Sequence, residues 1–158
     1  MRAQRLTALL ALILVAATAV FLTAPAAGKA KKPKTPLKFT LIGKITSAAV
    51  VDHGPSGTSA GDALIFTQAL FDDSGAEVGS SRGVCTRSSG PEGDSLCQGA
   101  FLLERGQITI QGVEPPQAVT RHPLVVTGGS GRYRGVRGAI TVTHVSPVED
   151  RLDFKLKR

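Results

Sequence analysis

The sequence predicts an all-β domain, an antiparallel sandwich or a closed barrel, placed behind an export signal and a basic linker. Three observations carry that reading. Short alternating or β-branched runs recur along the chain after residue 36, bounded by glycine, proline or turn-forming pairs. The three- and four-residue apolar spacing of an amphipathic helix is missing beyond the N-terminal segment. The connections are only a few residues long, which favours a meander in which sequence neighbours pair in space.

The N-terminal segment comes first. Arg2 and Arg5 precede an uncharged stretch, LTALLALILVAATAVFL, and then the small-residue segment TAPAAG, the three-part layout of a secretory signal. Ala24-Pro25-Ala26 offers a cleavage site, so residues 1–28 are expected to be removed and the mature protein secreted; an uncleaved anchor is the alternative. Residues 29–38 form a linker carrying Lys29, Lys31, Lys32, Lys34 and Lys38. The formal net charge of +7 is concentrated here, because from Phe39 onward there are 12 basic and 12 acidic residues. A neutral folded part with one basic tail argues against a nucleic-acid partner and for weak contact of the tail with an anionic envelope.

Residues 39–158 are enough for one domain with one core. The predicted strands are 37–46, 62–71, 78–86, 98–104, 107–111, 123–127, 139–145 and 151–157, with turn signals such as DDSG, ERGQ and SPVED between them. In 151–157, Leu152, Phe154 and Leu156 alternate with charged residues, and in 107–111 Ile108 and Ile110 alternate with polar ones, so each buries one face. Strand 62–71 is apolar on both faces through Leu64, Ile65, Phe66, Leu70 and Phe71, which points to a subunit interface. Cys85 and Cys97, an even pair in an exported chain, are expected to form a disulfide. Closing the polar loop between them contributes on the order of 3 kcal/mol through the chain entropy of the unfolded state.

The run VTGGSGRYRGVRG holds five glycines and three arginines. A phosphate-binding loop would need a terminal Lys with Ser or Thr and a following helix, and here a strand follows. An arginine-glycine RNA tract would repeat and carry stacking aromatics, and this run is single with only Tyr133. The glycines therefore read as backbone devices for a tight turn and a bulge. His53, His122 and His144 show no ligand-like spacing and read as surface or turn histidines, with no metal site. Asp72 and Asp73 read as turn caps.

The segments GDALIFTQALFDDSG, VGSSRGVCT, CQGAFLLERGQITIQG and VTGGSGRYRGVRGAITV, in this order over 61–147, resemble the strands of the dirigent proteins and the wider allene oxide cyclase barrel superfamily. The resemblance implies an eight-stranded antiparallel β-barrel, commonly trimeric, with an elongated and mostly apolar cavity and no metal or organic cofactor. It implies that Arg137 lines the cavity and that Tyr133 occupies an aromatic ligand-binding position; by parity an unbroken strand sets both opposite Ile140 and Val142, so either their face lines the cavity or Arg137 is solvated, unless a bulge at Gly135 or Gly138 resets the parity. The acid of several plant dirigent proteins is matched here by Gly131, and the plant-type His-Asp of the first strand is absent from LKFTLIGKITSAAVVD. No catalytic residue is thus assigned. The function expected is binding of a small hydrophobic or phenolic molecule; a cofactor-free cyclase or dirigent-type isomerase and a cell-surface structural protein are the alternatives.

Overall fold

The computed structural model describes residues 36–116 and 120–158; the signal segment 1–28 and the linker through residue 35 lie outside the described residues. Eight strands follow one another: β1 (Leu37–Val51), β2 (Ala63–Phe71), β3 (Glu77–Arg87), β4 (Ser95–Leu103), β5 (Gly106–Glu114), β6 (Arg121–Gly129), β7 (Arg137–Ser146) and β8 (Glu149–Lys157). Each pairs antiparallel with the next, and β1 closes the ring against β8. Of the two architectures left open by the strand pattern, the barrel is the one formed. Strand β1 opens at Leu37, where the strand pattern set it, with Leu37 and Lys38 paired to Leu156 and Lys155.

Alternation decides which side chains enter. Leu152, Phe154 and Leu156 of β8, Ile140 and Val142 of β7, Leu124 and Val126 of β6 and Ile108 of β5 point inward and are buried. Phe154 lies at the centre of this core, stacked on Phe39 at 4.4 Å between centroids and meeting Phe101 edge-on at 5.0 Å. These rings fill one end of the barrel.

Beside a surface hollow lined by Phe39, Leu41, Val78, Leu103 and Tyr133, the glycine-rich run folds over part of that end. A single 3₁₀ turn, Gly131–Tyr133, folds across it, held by Arg132 N–H on the Arg105 carbonyl at 2.8 Å and Ser130 N–H on the Gln107 carbonyl at 2.9 Å. Val136, 1% exposed, enters beneath it, and Tyr133 packs on the core. Gly131 has φ +55°, and a Cβ there would lie 2.4 Å from the Arg105 carbonyl oxygen; at Gly138, φ +141°, it would lie 2.1 Å from that of Lys155. The run is thus a backbone device, as its composition suggested.

At the opposite end the loop between β1 and β2 is tied down by Asp62, whose carboxylate accepts the N–H of Ser59 at 2.6 Å and of His53 at 2.9 Å. Those bonds, the one from Ser59 first, hold its pKa below the ordinary carboxylate value. Asp72 caps the β2–β3 turn through Oδ1, which accepts from Ser74 N and Ser74 Oγ. Cys85 and Cys97 are direct partners across β3 and β4 and form a disulfide, with Cα atoms 4.0 Å apart.

Candidate functional site

The barrel is not filled along its whole length. A cavity of about 380 Å³ occupies the half where β1, β3, β5 and β7 end, and it opens at that mouth. Its space comes from glycine. Gly83 faces Phe66 on one side and Gly99 on the other, and a Cβ at Gly83 would stand 2.5 Å from Phe66 Cζ. The Phe66 ring therefore lies where a larger residue's side chain would be. With Leu64, Phe101, Leu124 and Val142 it gives the cavity an apolar lining suited to a ring compound.

One wall is polar, and its groups are linked. Ser81 Oγ donates to Gln68 Oε1 at 2.8 Å, and Gln68 Nε2 donates to Asp150 Oδ2 at 2.7 Å. The other oxygen, Asp150 Oδ1, lies 2.7 Å from His144 Nδ1. With a carboxylate as acceptor, Nδ1 carries the hydrogen and the lone pair of the neutral imidazole sits on Nε2. That Nε2 faces Glu114 Oε1 across 3.6 Å. Gly43 makes room for Gln68, since a Cβ there would meet Gln68 Oε1 at 2.9 Å.

Glu114 ends β5 and lies against the disulfide, with Oε2 3.1 Å from Cys97 Sγ and 3.4 Å from Cys85 Sγ. Burial raises its pKa above the usual carboxylate value, the His144 charge works against that, and the Asp150 charge adds to it. His122 is 4% exposed, with its ring centroid 5.4 Å from that of His144, and neither ring nitrogen has a partner among the described residues. Burial, then the His144 charge, lowers its pKa, so it stays neutral. The pairing of β5 with β6 stops at Gln111 and Val125, short of Pro123, which lacks an N–H to offer, and His122 lines the cavity just beyond.

An acid that burial makes hold its proton more tightly than usual and an oriented imidazole on one apolar wall can protonate one atom of a ligand and deprotonate another. Cys85, Cys97 and Glu114 are close enough together to suggest a metal site, but the sulfurs are bonded to each other and offer no thiolate.

The residues expected to bind ligand are elsewhere. Arg137 is exposed at the first position of β7, and Tyr133 is half-buried; neither lines this cavity, and Tyr133 lines the separate hollow at the opposite end of the barrel. The inward arginine is corrected by register: β7 pairs with β8 from Arg137–Lys157 to His144–Asp150 without a bulge, so Ile140 and Val142 take the interior and Arg137 the solvent. The reading of His122 and His144 as surface or turn histidines is corrected too, because adjacent strands β6 and β7 bring them together inside the barrel. His53 stays exposed in its loop. Glu114 and Asp150 were missed, although His144 continues the parity of Ile140 and Val142 and a hairpin over SPVED sets Asp150 opposite it.

Comparison with known proteins agrees with this architecture. Among curated proteins no match is found. The solved structure of a pyocyanin demethylase is 28% identical with a TM-score of 0.69, covering 76% of this chain and 99% of its own. A pterocarpan synthase dirigent protein, GePTS1, is 13% identical with a TM-score of 0.67 over 89% of this chain and 99% of its own. The Diels-Alderase AbmU from Streptomyces koyangensis is 19% identical with a TM-score of 0.62, covering 84% of this chain and 71% of its own. The last two are likenesses of fold. Residues 39–156 match the family described as Allene oxide cyclase barrel like domain, and with its closed ring of eight antiparallel strands the chain belongs to that family.

Proposed function

We propose that the protein is an exported barrel that binds a small hydrophobic or phenolic ring compound and catalyses cofactor-free proton transfer on it. The observation that carries this is the set Glu114, His144 and Asp150 on the wall of an apolar cavity. Sequence reasoning put binding ahead of catalysis for want of a proton donor, and Glu114 supplies one. The 28% identical relative, named a pyocyanin demethylase, supports a small-molecule occupant.

The cycle balances within the wall. His144 Nε2 removes a proton from the ligand while the Glu114 carboxyl donates its own to a second ligand atom, leaving an isomer, an imidazolium and a carboxylate. The imidazolium then returns its Nε2 proton to Glu114 across the 3.6 Å gap, which restores both groups. Asp150 holds the ring in register and stabilises the imidazolium.

The test uses 2-tetralone, an enolisable aryl ketone, in deuterium oxide, with α-proton exchange followed by NMR and binding followed with 1-naphthol. Wild type should exchange the α-protons faster than buffer, and Glu114→Gln and His144→Asn should return to the buffer rate. Binding without exchange by wild type would favour a carrier, and neither binding nor exchange would favour a structural role.

Export and assembly complete the proposal. N-terminal sequencing of secreted protein should begin between residues 27 and 31, and the lysines that follow would rest on anionic envelope. A trimer is the expected assembly, with outward Ile65, Leu96 and Val113, about half exposed, as its apolar contact. Native mass spectrometry reads its mass directly.

A further inference from the structure

The disulfide is not remote from the chemistry. Cys85 and Cys97 line the same cavity, and both sulfurs touch the oxygen of Glu114 that points away from His144. A disulfide sulfur has lone pairs and no hydrogen, so it accepts weakly from a carboxylic acid and gives nothing to a carboxylate. A thiol does the reverse, because its S–H donates.

We infer that the Cys85–Cys97 disulfide acts as a positioning element for the acid, favouring the protonated form of Glu114 by withholding hydrogen-bond donors from Oε2. The inference rests on the acid–base reading of the site. Opening the bond would reverse the effect. An external dithiol supplies two electrons and two protons and becomes a disulfide itself, the S–S bond breaks, and two S–H groups come to lie beside Oε2. They stabilise the carboxylate, and Glu114 loses its proton at lower pH.

The other groups facing Glu114 do not remove the effect. His144 from β7 meets Oε1 at 3.6 Å and favours the carboxylate when charged. Asp150 from β8 opposes ionisation by its own charge, and His122 from β6 is held neutral by burial. From β3 and β4 the two cysteines come within hydrogen-bonding distance of the carboxyl group, and the charged Arg82 of β3, which also lines the cavity, bonds Ser80 instead. Glu114 Oε2 thus has the sulfurs as its polar neighbours, and their oxidation state decides whether it meets a donor. No free cysteine is present among the described residues, so no other thiol competes in such an experiment.

Two double variants separate this chemistry from cross-linking. Cys85→Ser with Cys97→Ser, and Cys85→Ala with Cys97→Ala, both lose the bridge, but only the serine pair offers hydroxyl donors. With glutamate carboxyls labelled with carbon-13 and the Glu114 signal assigned through Glu114→Gln, the titration midpoint is read by NMR in each protein. The serine pair and dithiothreitol-reduced wild type should titrate at lower pH than the alanine pair and oxidised wild type. One common midpoint for oxidised and reduced wild type would overturn the inference, whether or not the double variants fold. A serine pair that titrates with the alanine pair would overturn it as well. Midpoints that separate as described while wild type shows no proton exchange on 2-tetralone would leave the disulfide's effect standing and remove the isomerase reading.

Discussion

His144 and Asp150 are register partners across the β7–β8 hairpin, and their side chains meet at 2.7 Å inside the barrel. The next pairing after them, Ser146 with Glu149, is shifted by an irregularity that leaves Val145 without a partner. The hairpin therefore delivers an imidazole and the carboxylate that orients it from residues only six apart. Asp150→Asn should keep the shape and lose the carboxylate, so that Nδ1 no longer has to carry the hydrogen. Proton exchange on 2-tetralone should fall by roughly a hundredfold or more, with 1-naphthol affinity changed by less than about threefold. Equal losses in both would mark Asp150 as a binding group.

His122 gives the barrel an acid-sensitive point. Its folded pKa is lowered from 6.5, so the unfolded chain binds the proton more readily than the native one. Its contribution to stability is fully present above 6.5 and is lost as pH falls through the depressed folded value. Urea midpoints measured across this interval should decline for wild type and decline less for His122→Phe. Parallel profiles would show that other groups carry the acid sensitivity.

Gly83 bounds the cavity by what it lacks. A methyl group there would sit 2.5 Å from Phe66 Cζ, so Gly83→Ala must drive the ring toward the cavity. The variant should lose about 1–3 kcal/mol of stability from overpacking. Affinity for 1-naphthol should fall more in Gly83→Ala than in Gly90→Ala, where a methyl group meets open space.

The packed end of the barrel holds the ring cluster of the core. Phe154 is 1% exposed and touches the rings of both Phe39 and Phe101. Phe154→Ala should cost about 3–5 kcal/mol, seen as a lower urea midpoint with an unchanged slope. The loss should not depend on 1-naphthol, because the cavity wall does not include this ring.

The strand count and the faces of β5 and β8 were legible because Ile108, Ile110, Leu152, Phe154 and Leu156 alternate strictly with polar residues. The disulfide was legible because a two-cysteine hairpin leaves few options. Strand β2 was harder. Its double apolar face arises because Leu64 and Phe66 line a cavity while Ile65 faces solvent, and local pattern does not tell a cavity wall from an interface. The acid–base set was hidden for another reason. The β7–β8 hairpin joins His144 to Asp150, but Glu114 comes from β5, two strands away from β7, and only the folded barrel brings it to them. Arg137 misled because the resemblance supplied a role, while the parity of Ile140 and Val142 supplied the opposite direction.

A chamber packed shut on its inner side is a cul-de-sac, and traffic through it is single file. Among the described residues its floor is buried core, with Phe101, Ile140 and Leu152 backed by Phe154, so on the proposed reading a product formed beside Glu114 would leave by the doorway through which its precursor came. Precursor and product would exclude each other from the chamber, and product inhibition of the proposed reaction would be competitive with substrate. Turnover would then be paced by departure as much as by proton transfer. Widening the doorway would speed release and weaken retention together, without touching the wall where the proton moves.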